Sequence, residues 1–406
     1  MPIRSVEDLR PEVTAQILGR LVRHYGADQL DACEDAVQEA LLDAHKQWTD
    51  GTPDDPVAWL VTAARRRYVD LVRSEVRRRG REEHHARLAH PLADAVTTHT
   101  DDSVRLLELC CHPDLPRPMQ VALTLRAVAG LTTEQIASAY QLPVATIAQR
   151  ITRAKRRLQD LSTTLPQPRS PTERLDPVLT VLYVMFTEAH HTASGEPAHD
   201  VDLAAEAIRL TRMVHGTVGD DTEATGMLAL LLLTEARQPA RISPAGGLIP
   251  LDEQDRTRWD ARKITEGVAL VEAAAPGAKP GPYLLQACIA ALHAQAPCTS
   301  ETDWREILVL YRMLEQVTPN NPAVTLNRAV VEAMVFGPEV ALRTVNDVAD
   351  RMPRSAQLPA VTARLHELHG DTERAAEAYR EALRRTRSTA ERRLFTTRLR
   401  MLRTHG

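Results

Sequence analysis

The segment from Leu131 to Leu158, "LTTEQIASAYQLPVATIAQRITRAKRRL", reads as two short helices joined by a tight turn. Thr132 is placed to cap the first helix, and Gln135, three residues on, can return a hydrogen bond to it, which is a capping-box signal. Gln141-Leu142-Pro143 forms the turn, with Pro143 opening the second helix rather than breaking it. Ile147, Ile151, Ala154 and Leu158 recur at helical spacing as an inward face, which turns Thr146, Gln149, Arg150, Arg153 and Arg157 outward. From Val144 to Leu158 the charged residues are Arg150, Arg153, Lys155, Arg156 and Arg157, with no acid among them. Such a helix suits a DNA major groove, where cations neutralise phosphates and neighbouring side chains reach base edges. The plainer alternative is an amphipathic hairpin with a solvated basic face.

The rest of the chain sets the frame. Its 406 residues allow two or three domains, and its 3% aromatic content with abundant Ala, Leu, Arg and Glu predicts an all-α protein. The net charge of −4 does not by itself suggest a nucleic-acid partner, but its distribution does. Between Val61 and Arg81 eight arginines face only Asp70 and Glu75. No apolar run approaches the ~18 residues of a membrane span and the N-terminus has no secretory apolar core, so the expectation is a cytoplasmic protein with no membrane partner. Cys33, Cys110, Cys111, Cys288 and Cys298 are few and irregularly spaced, which argues against a disulfide framework.

Pro11 to Trp48 is helical in pattern, and "DACEDAVQEALLDAHKQW" sets Ala36, Val37, Ala40, Leu41 and Ala44 on one side with acidic and polar residues opposite. A turn-rich break at Asp50 to Pro56 precedes a second helix from Val57 to about Arg79. Its expected core positions are Trp59, Leu60, Ala63, Ala64 and Leu71, while Arg65, Arg66, Arg67 and Arg73 face or reach solvent.

Taken together, "EDAVQEALLDAHKQW", "AWLVTAARRRYVDLVR" and the helix-turn-helix, in that order, resemble regions 2 and 4 of extracytoplasmic-function (ECF) bacterial RNA polymerase sigma factors across residues 10 to 163. The resemblance implies promoter-specific transcription initiation together with core RNA polymerase, gripped at the β′ clamp helices and the β flap. It places Asp35, Gln38 and Glu39 at the clamp, and Arg65, Arg66, Arg67 and Arg73 at the −10 element. It sets Thr146, Gln149, Arg150, Arg153 and Arg157 against the −35 element. At Arg66 and Ala148 the chain departs from the Asn and the polar or basic residue common in that family. The physical logic agrees: one small helix-turn-helix loses most of its phosphate-based affinity at physiological salt, and a partner holding two such surfaces restores it.

Gly80 to Asp102 reads as a polar linker. His84, His85, His90, His99 and "CCHP" at 110–113 lack metal-ligand spacing, so Cys110 and Cys111 are read as small buried helix residues and no metal or cofactor is expected. A Pro-rich break at Thr163 to Glu173 follows. Beyond it come helical segments Leu175–His190, Val201–His215, Thr222–Arg237, Trp259–Ala274 and Tyr283–Ala296. Ile307, Ala341 and Ala375 then recur at a 34-residue step, as do Tyr311, Val345 and Tyr379, and Leu314, Val348 and Ala382. This resembles tetratricopeptide (TPR) repeats, whose stacked helix pairs offer a concave surface for a protein or peptide partner. Generic helical hairpins remain the alternative.

The expected organisation is region 2 at 1–80, a linker at 81–103, region 4 at 104–163, a Pro-rich linker at 164–173 and an α-solenoid-like domain at 174–406. A sigma domain followed by "RLDPVLTVLYVMFTEAHH" and "LDEQDRTRWD" resembles the ECF42 group, which implies a regulatory role for the tail. In the loop from Ala236 to Asp260, Asp252, Asp255, Arg256 and Arg258 form either a polar latch onto the sigma modules or an ion-pair set within the tail. No catalytic constellation or nucleotide loop is recognisable, so no enzyme activity is expected. A stand-alone helix-turn-helix regulator with a sensor tail is the rival reading.

Overall fold

The computed structural model describes residues 11–48, 51–79, 99–140, 142–161, 171–192, 202–276 and 279–404. Among these residues the protein is all-α, and a single isolated bridge between Ile242 and Leu248 closes a loop. None of the described helices is long and apolar enough to cross a membrane. Two compact units form: Met1–Met185 with His199–Thr217, and Phe186–Ala198 with Val218–Gly406.

The first unit opens with α1 (Pro11–Tyr25), α2 (Leu30–Gln47) and α3 (Pro56–Arg79). The expected continuous helix from Pro11 to Trp48 is broken at Gly26, which adopts a φ of 104° that favours glycine, and a 3-10 turn at Ala27–Gln29 redirects the chain. The predicted apolar side of α2 is buried at Ala36, Val37, Ala40 and Ala44. On α3, Leu60, Ala64, Tyr68 and Val72 form the buried row at four-residue steps. Leu71 was expected in that row; it is 37% exposed, because the row passes through Tyr68 and Val72 and leaves position 71 a quarter-turn aside. Tyr68 stacks on Tyr25 at 3.7 Å between ring centroids, and Trp59 is half-buried edge-on against Trp48 at 5.4 Å.

The unit continues with α4 (His99–Cys110), α5 (Arg117–Ala127), α6 (Thr133–Ala139), α7 (Val144–Asp160), α8 (Pro171–Thr192) as far as Met185, and α9 (Leu203–Val218) as far as Thr217. The linker read over 80–102 lies outside the described residues through 98, and from His99 the chain is already helical. Likewise 162–170 lies outside them, while Pro171 begins α8. Cys110 and Cys111 are fully buried and unpaired. Burial pushes the Cys111 thiol up to about 12, against the lowering effect of the Thr124 hydroxyl and Arg117.

The second unit is built from α10 (Thr222–Glu235), α11 (Gln238–Arg241), α12 (Ala261–Ala274), α13 (Pro282–Gln295), α14 (Trp304–Val317), α15 (Pro322–Phe336), α16 (Pro338–Val348), α17 (Gln357–His369), α18 (Thr372–Arg385) and α19 (Thr389–Thr404). Helix α10 is apolar on every side and is buried from Ala224 to Leu233, with α12 and α13 packed on it. Helices α14, α16 and α18 begin at Trp304, Pro338 and Thr372, a constant 34-residue step. Ile307, Ala341 and Ala375 are fully buried at equivalent places in them, and Leu314, Val348 and Ala382 close the same face. Glu332, buried on α15, is held by Arg328 and by the Thr344 hydroxyl at 2.6 Å, which ties α15 to α16.

Candidate nucleic-acid interface

The helix-turn-helix is α6 and α7. Thr132 Oγ1 accepts from the Gln135 amide at 3.1 Å, and Gln135 Oε1 accepts from the Thr132 amide at 2.8 Å, so the capping box forms as read. We expect Thr132→Ala to lower the stability of the first unit by ~1 kcal/mol in denaturant titration, with Thr132→Ser close to the parent.

Ile147, Ile151, Ala154 and Leu158 are buried, and α7 packs on α5 and α6. Gln149, Arg153 and Arg157 are exposed, while Thr146 and Arg150 are half-buried. Arg157 also donates to the Asp114 carbonyl at 3.1 Å, which fixes its stem along the base of the module. The side of α7 away from the core therefore presents cations, amides and small residues together, a surface that can meet phosphates and base edges at once.

On α3, Arg66 and Arg73 are exposed seven residues apart on one face, and Arg65 is half-buried. Arg67 behaves differently: its Nε and Nη2 each donate to Asp43 at 2.7 Å, a two-pronged pair that joins α3 to α2. Asp35, Gln38 and Glu39 are all exposed and share one face of α2. Partial burial pushes the Asp35 carboxyl up; Lys155 opposes this, and the nearby acids Glu34, Asp31 and Glu39 reinforce it.

A second charged cluster has no counterpart in the sequence reading. Arg126 Nε donates to Glu34 Oε1 at 2.8 Å, and Lys155 Nζ lies 2.8 Å from Glu34 Oε2 and also hydrogen-bonds Asp31. Burial opposes the charge on Lys155, yet Glu34 and Asp31 more than offset it, so its pKa is raised. At the other edge Asp102, with its side chain 1% exposed, lies 3.1 Å from Arg23 Nη1 and 3.4 Å from Arg20 Nε as an ion pair without aligned hydrogen bonds. No pattern marks these residues, since Glu34 and Lys155 are ordinary members of amphipathic helices far apart in the chain.

In the second unit, the loop charges Asp252, Asp255 and Arg256 commit their polar atoms within that unit. Asp252 pairs with Arg364 at 2.9 Å, and Asp255 caps the 3-10 turn at Arg256–Arg258 by accepting from the Thr257 amide at 3.0 Å. Arg256 donates to the carbonyls of His293 and Ala296 at 2.8 and 2.6 Å, and lies over the Trp259 ring at 5.2 Å. Arg258 is exposed. Among the described residues no group of three or more His, Cys, Asp or Glu side chains is arranged to hold a metal ion.

Comparison with known proteins adds three regional matches. Residues 13–78 match sigma-70 region 2, residues 106–158 match sigma-70 region 4, and residues 174–275 match a family of unknown function (DUF6596). The chain is 39% identical over 349 residues to a protein of Rhizobium meliloti (strain 1021) described as uncharacterized, covering 83% of this chain and 81% of that one.

Proposed function

We propose that this chain, which belongs to the sigma-70 family of transcription initiation factors and shares a family with the Rhizobium meliloti protein, is an ECF-type factor whose C-terminal helices regulate it. Sigma-70 regions 2 and 4 direct core RNA polymerase to promoter DNA. In the finer assignment, Asp35, Gln38 and Glu39 on α2 meet the β′ clamp helices. Arg65, Arg66 and Arg73 approach the −10 element, with Arg67 bracing the helix that carries them through Asp43. Region 4 docks on the β flap and lays α7 in the −35 major groove with Thr146, Gln149, Arg150, Arg153 and Arg157 toward DNA. The observation that carries this reading is the exposed outer face of α7, free of acids from Val144 to Leu158, set on a capped helix-turn-helix.

The TPR-like reading of the tail is supported by the regular start of α14, α16 and α18 and their matched buried positions, and the ECF42-like reading by the resemblance carried in "RLDPVLTVLYVMFTEAHH" and "LDEQDRTRWD". Such an array supports a role in holding a protein partner, or a segment of the transcription complex, that gates initiation.

Arg150→Ala and Arg153→Ala are each expected to cost ~1–3 kcal/mol in promoter use, read as run-off transcript with core polymerase. Unchanged transcript from both variants rejects the assigned face. Binding of the purified chain to its own duplex sequence with no association with core polymerase would instead favour the stand-alone regulator. Removing residues 218–406 and comparing transcript levels tests the regulatory role of the tail.

A further inference from the structure

We propose that the C-terminal unit carries a binding site for a small oxyanion, a phosphate or carboxylate group, built from Arg237, Arg241, Arg256 and His293. The site lies wholly within that unit and does not depend on the sigma-factor reading.

Arg237 caps the start of α11 and is half-buried, yet its guanidinium has neither a hydrogen bond nor an ion pair among the described residues. A guanidinium carries five donors and a permanent charge, so a fold that draws one inward normally supplies a carboxylate or carbonyls. Arg237 meets further cations instead. Arg241 stands one turn away at the end of α11. The Asp260 amide donates to the Ala236 carbonyl at 2.9 Å, which seats the turn at Arg256–Trp259 against the root of Arg237. Arg256, lying over the Trp259 ring, reaches the His293 carbonyl, so the end of α13 closes the group.

The electrostatics follow this layout. Burial first, then Arg241, pulls the Arg237 pKa down to about 10; Tyr311 opposes and Arg256 adds to the fall. Arg237 and Arg256 also reinforce the lowering of His293 by burial. No acid is among the groups that act on Arg237 or His293, because Glu235 and Glu391 act on Arg241. Two buried nitrogens of the same neighbourhood, His293 Nδ1 and the Trp259 indole Nε1, lack partners among the described residues. Gathered cations and unmatched donors call for the same thing, negative charge on acceptor oxygens. An oxyanion accepts from the planar fork of Arg237 and offsets its repulsion with Arg241 and Arg256. Because it binds only the folded unit, it stabilises that unit by mass action.

The test uses the full chain and its four tryptophans, Trp48 and Trp59 in the first unit and Trp259 and Trp304 in the second. Indole N–H resonances are followed while phosphate or malonate is titrated at constant ionic strength, with chloride as the control. One of the two ions is expected to move the Trp259 resonance saturably and to raise the melting temperature of the C-terminal unit, leaving Trp48 and Trp59 in place. Tighter binding of phosphate assigns a phosphoryl ligand, and tighter binding of malonate a carboxylate. Arg237→Gln is expected to weaken binding roughly tenfold or more, the worth of a charge-assisted hydrogen bond. Its melting temperature without the ion is expected to equal or exceed the parent's, since a repelling charge is removed. Arg237→Lys, which keeps the charge and loses the fork, is expected to bind with intermediate affinity, and it decides if the glutamine variant does not fold. A merely structural arginine would do the reverse, lowering the melting temperature with binding unchanged, and that result overturns the site. So does a Trp259 resonance that neither ion moves beyond the chloride control, or one that moves only together with Trp48 and Trp59.

Discussion

Gly226→Ala is expected to lower the unfolding free energy of the C-terminal unit by about 3 kcal/mol, the upper part of the usual range for overpacking. A Cβ at this position would lie 2.5 Å from both the Cα and the amide nitrogen of Leu284. Those are backbone atoms, so no side-chain rotation relieves the overlap, and α10 must move off α13. Alanine gains about 1 kcal/mol of helix propensity over glycine, which offsets only part of the loss. The control is Gly216→Ala, where a Cβ meets nothing within 4 Å and the same propensity gain acts alone. Urea titration of each variant against the parent checks the pair, Gly216 reporting on the first unit, and a Gly226→Ala that gains as much as Gly216→Ala would show that α10 and α13 do not cross as closely as described.

The second large effect is a loss of stability in mild acid. His293 is buried beside the edge of the Trp304 ring, with Nδ1 lacking a hydrogen-bond partner among the described residues. Burial first, then Arg237 and Arg256, lowers its pKa to about 4. An unfolded histidine titrates near ~6.5. Between these values the unfolded chain takes up a proton that the folded chain refuses, so stability is complete above pH ~6.5 and falls as the pH drops toward 4. The full difference is on the order of 3 kcal/mol. His293→Gln, which keeps a neutral polar side chain of similar reach, is expected to flatten this part of the stability-against-pH curve. A slope between pH 6.5 and 4 that is identical in parent and variant would assign the acid sensitivity to other groups.

Arg256 connects this site to the loop that interrupts the helical series. Its two bonds to the carbonyls of His293 and Ala296 satisfy acceptors at the end of α13, while Trp259 covers its guanidinium face. Asp252 with Arg364, and Glu253 with Arg398, pin the same loop to α17 and α19. Asp252, Glu253, Asp255 and Arg256 thus fix a non-helical stretch whose carbonyls and turns have no helix to satisfy them.

Local order fixes much of what this sequence reveals. The cap at Thr132 and the inward row of Ile147, Ile151, Ala154 and Leu158 are set by neighbours three, four or seven residues away, and helical geometry turns such spacings directly into faces. The same spacing argument exposed Asp35, Gln38, Glu39, Arg66 and Arg73. It misplaced Leu71, since a row through Tyr68 and Val72 and a row through Leu71 differ by one residue and only the contact with α2 selects between them. It also carried one helix through Gly26, where a positive φ and a turn are needed to fold α1 back along α2.

The sequence alone determined an all-helical fold with a helix-turn-helix and a basic second surface, because helix periodicity is a short-range property. Only the tertiary structure decided that Arg67 braces α3 rather than standing free, that Gly19 and Gly226 mark close helix crossings, and that Lys155 and Arg126 reach back to Asp31 and Glu34. Those pairings join residues distant along the chain, and a side chain's charge or size does not encode which distant partner the folded backbone will bring beside it.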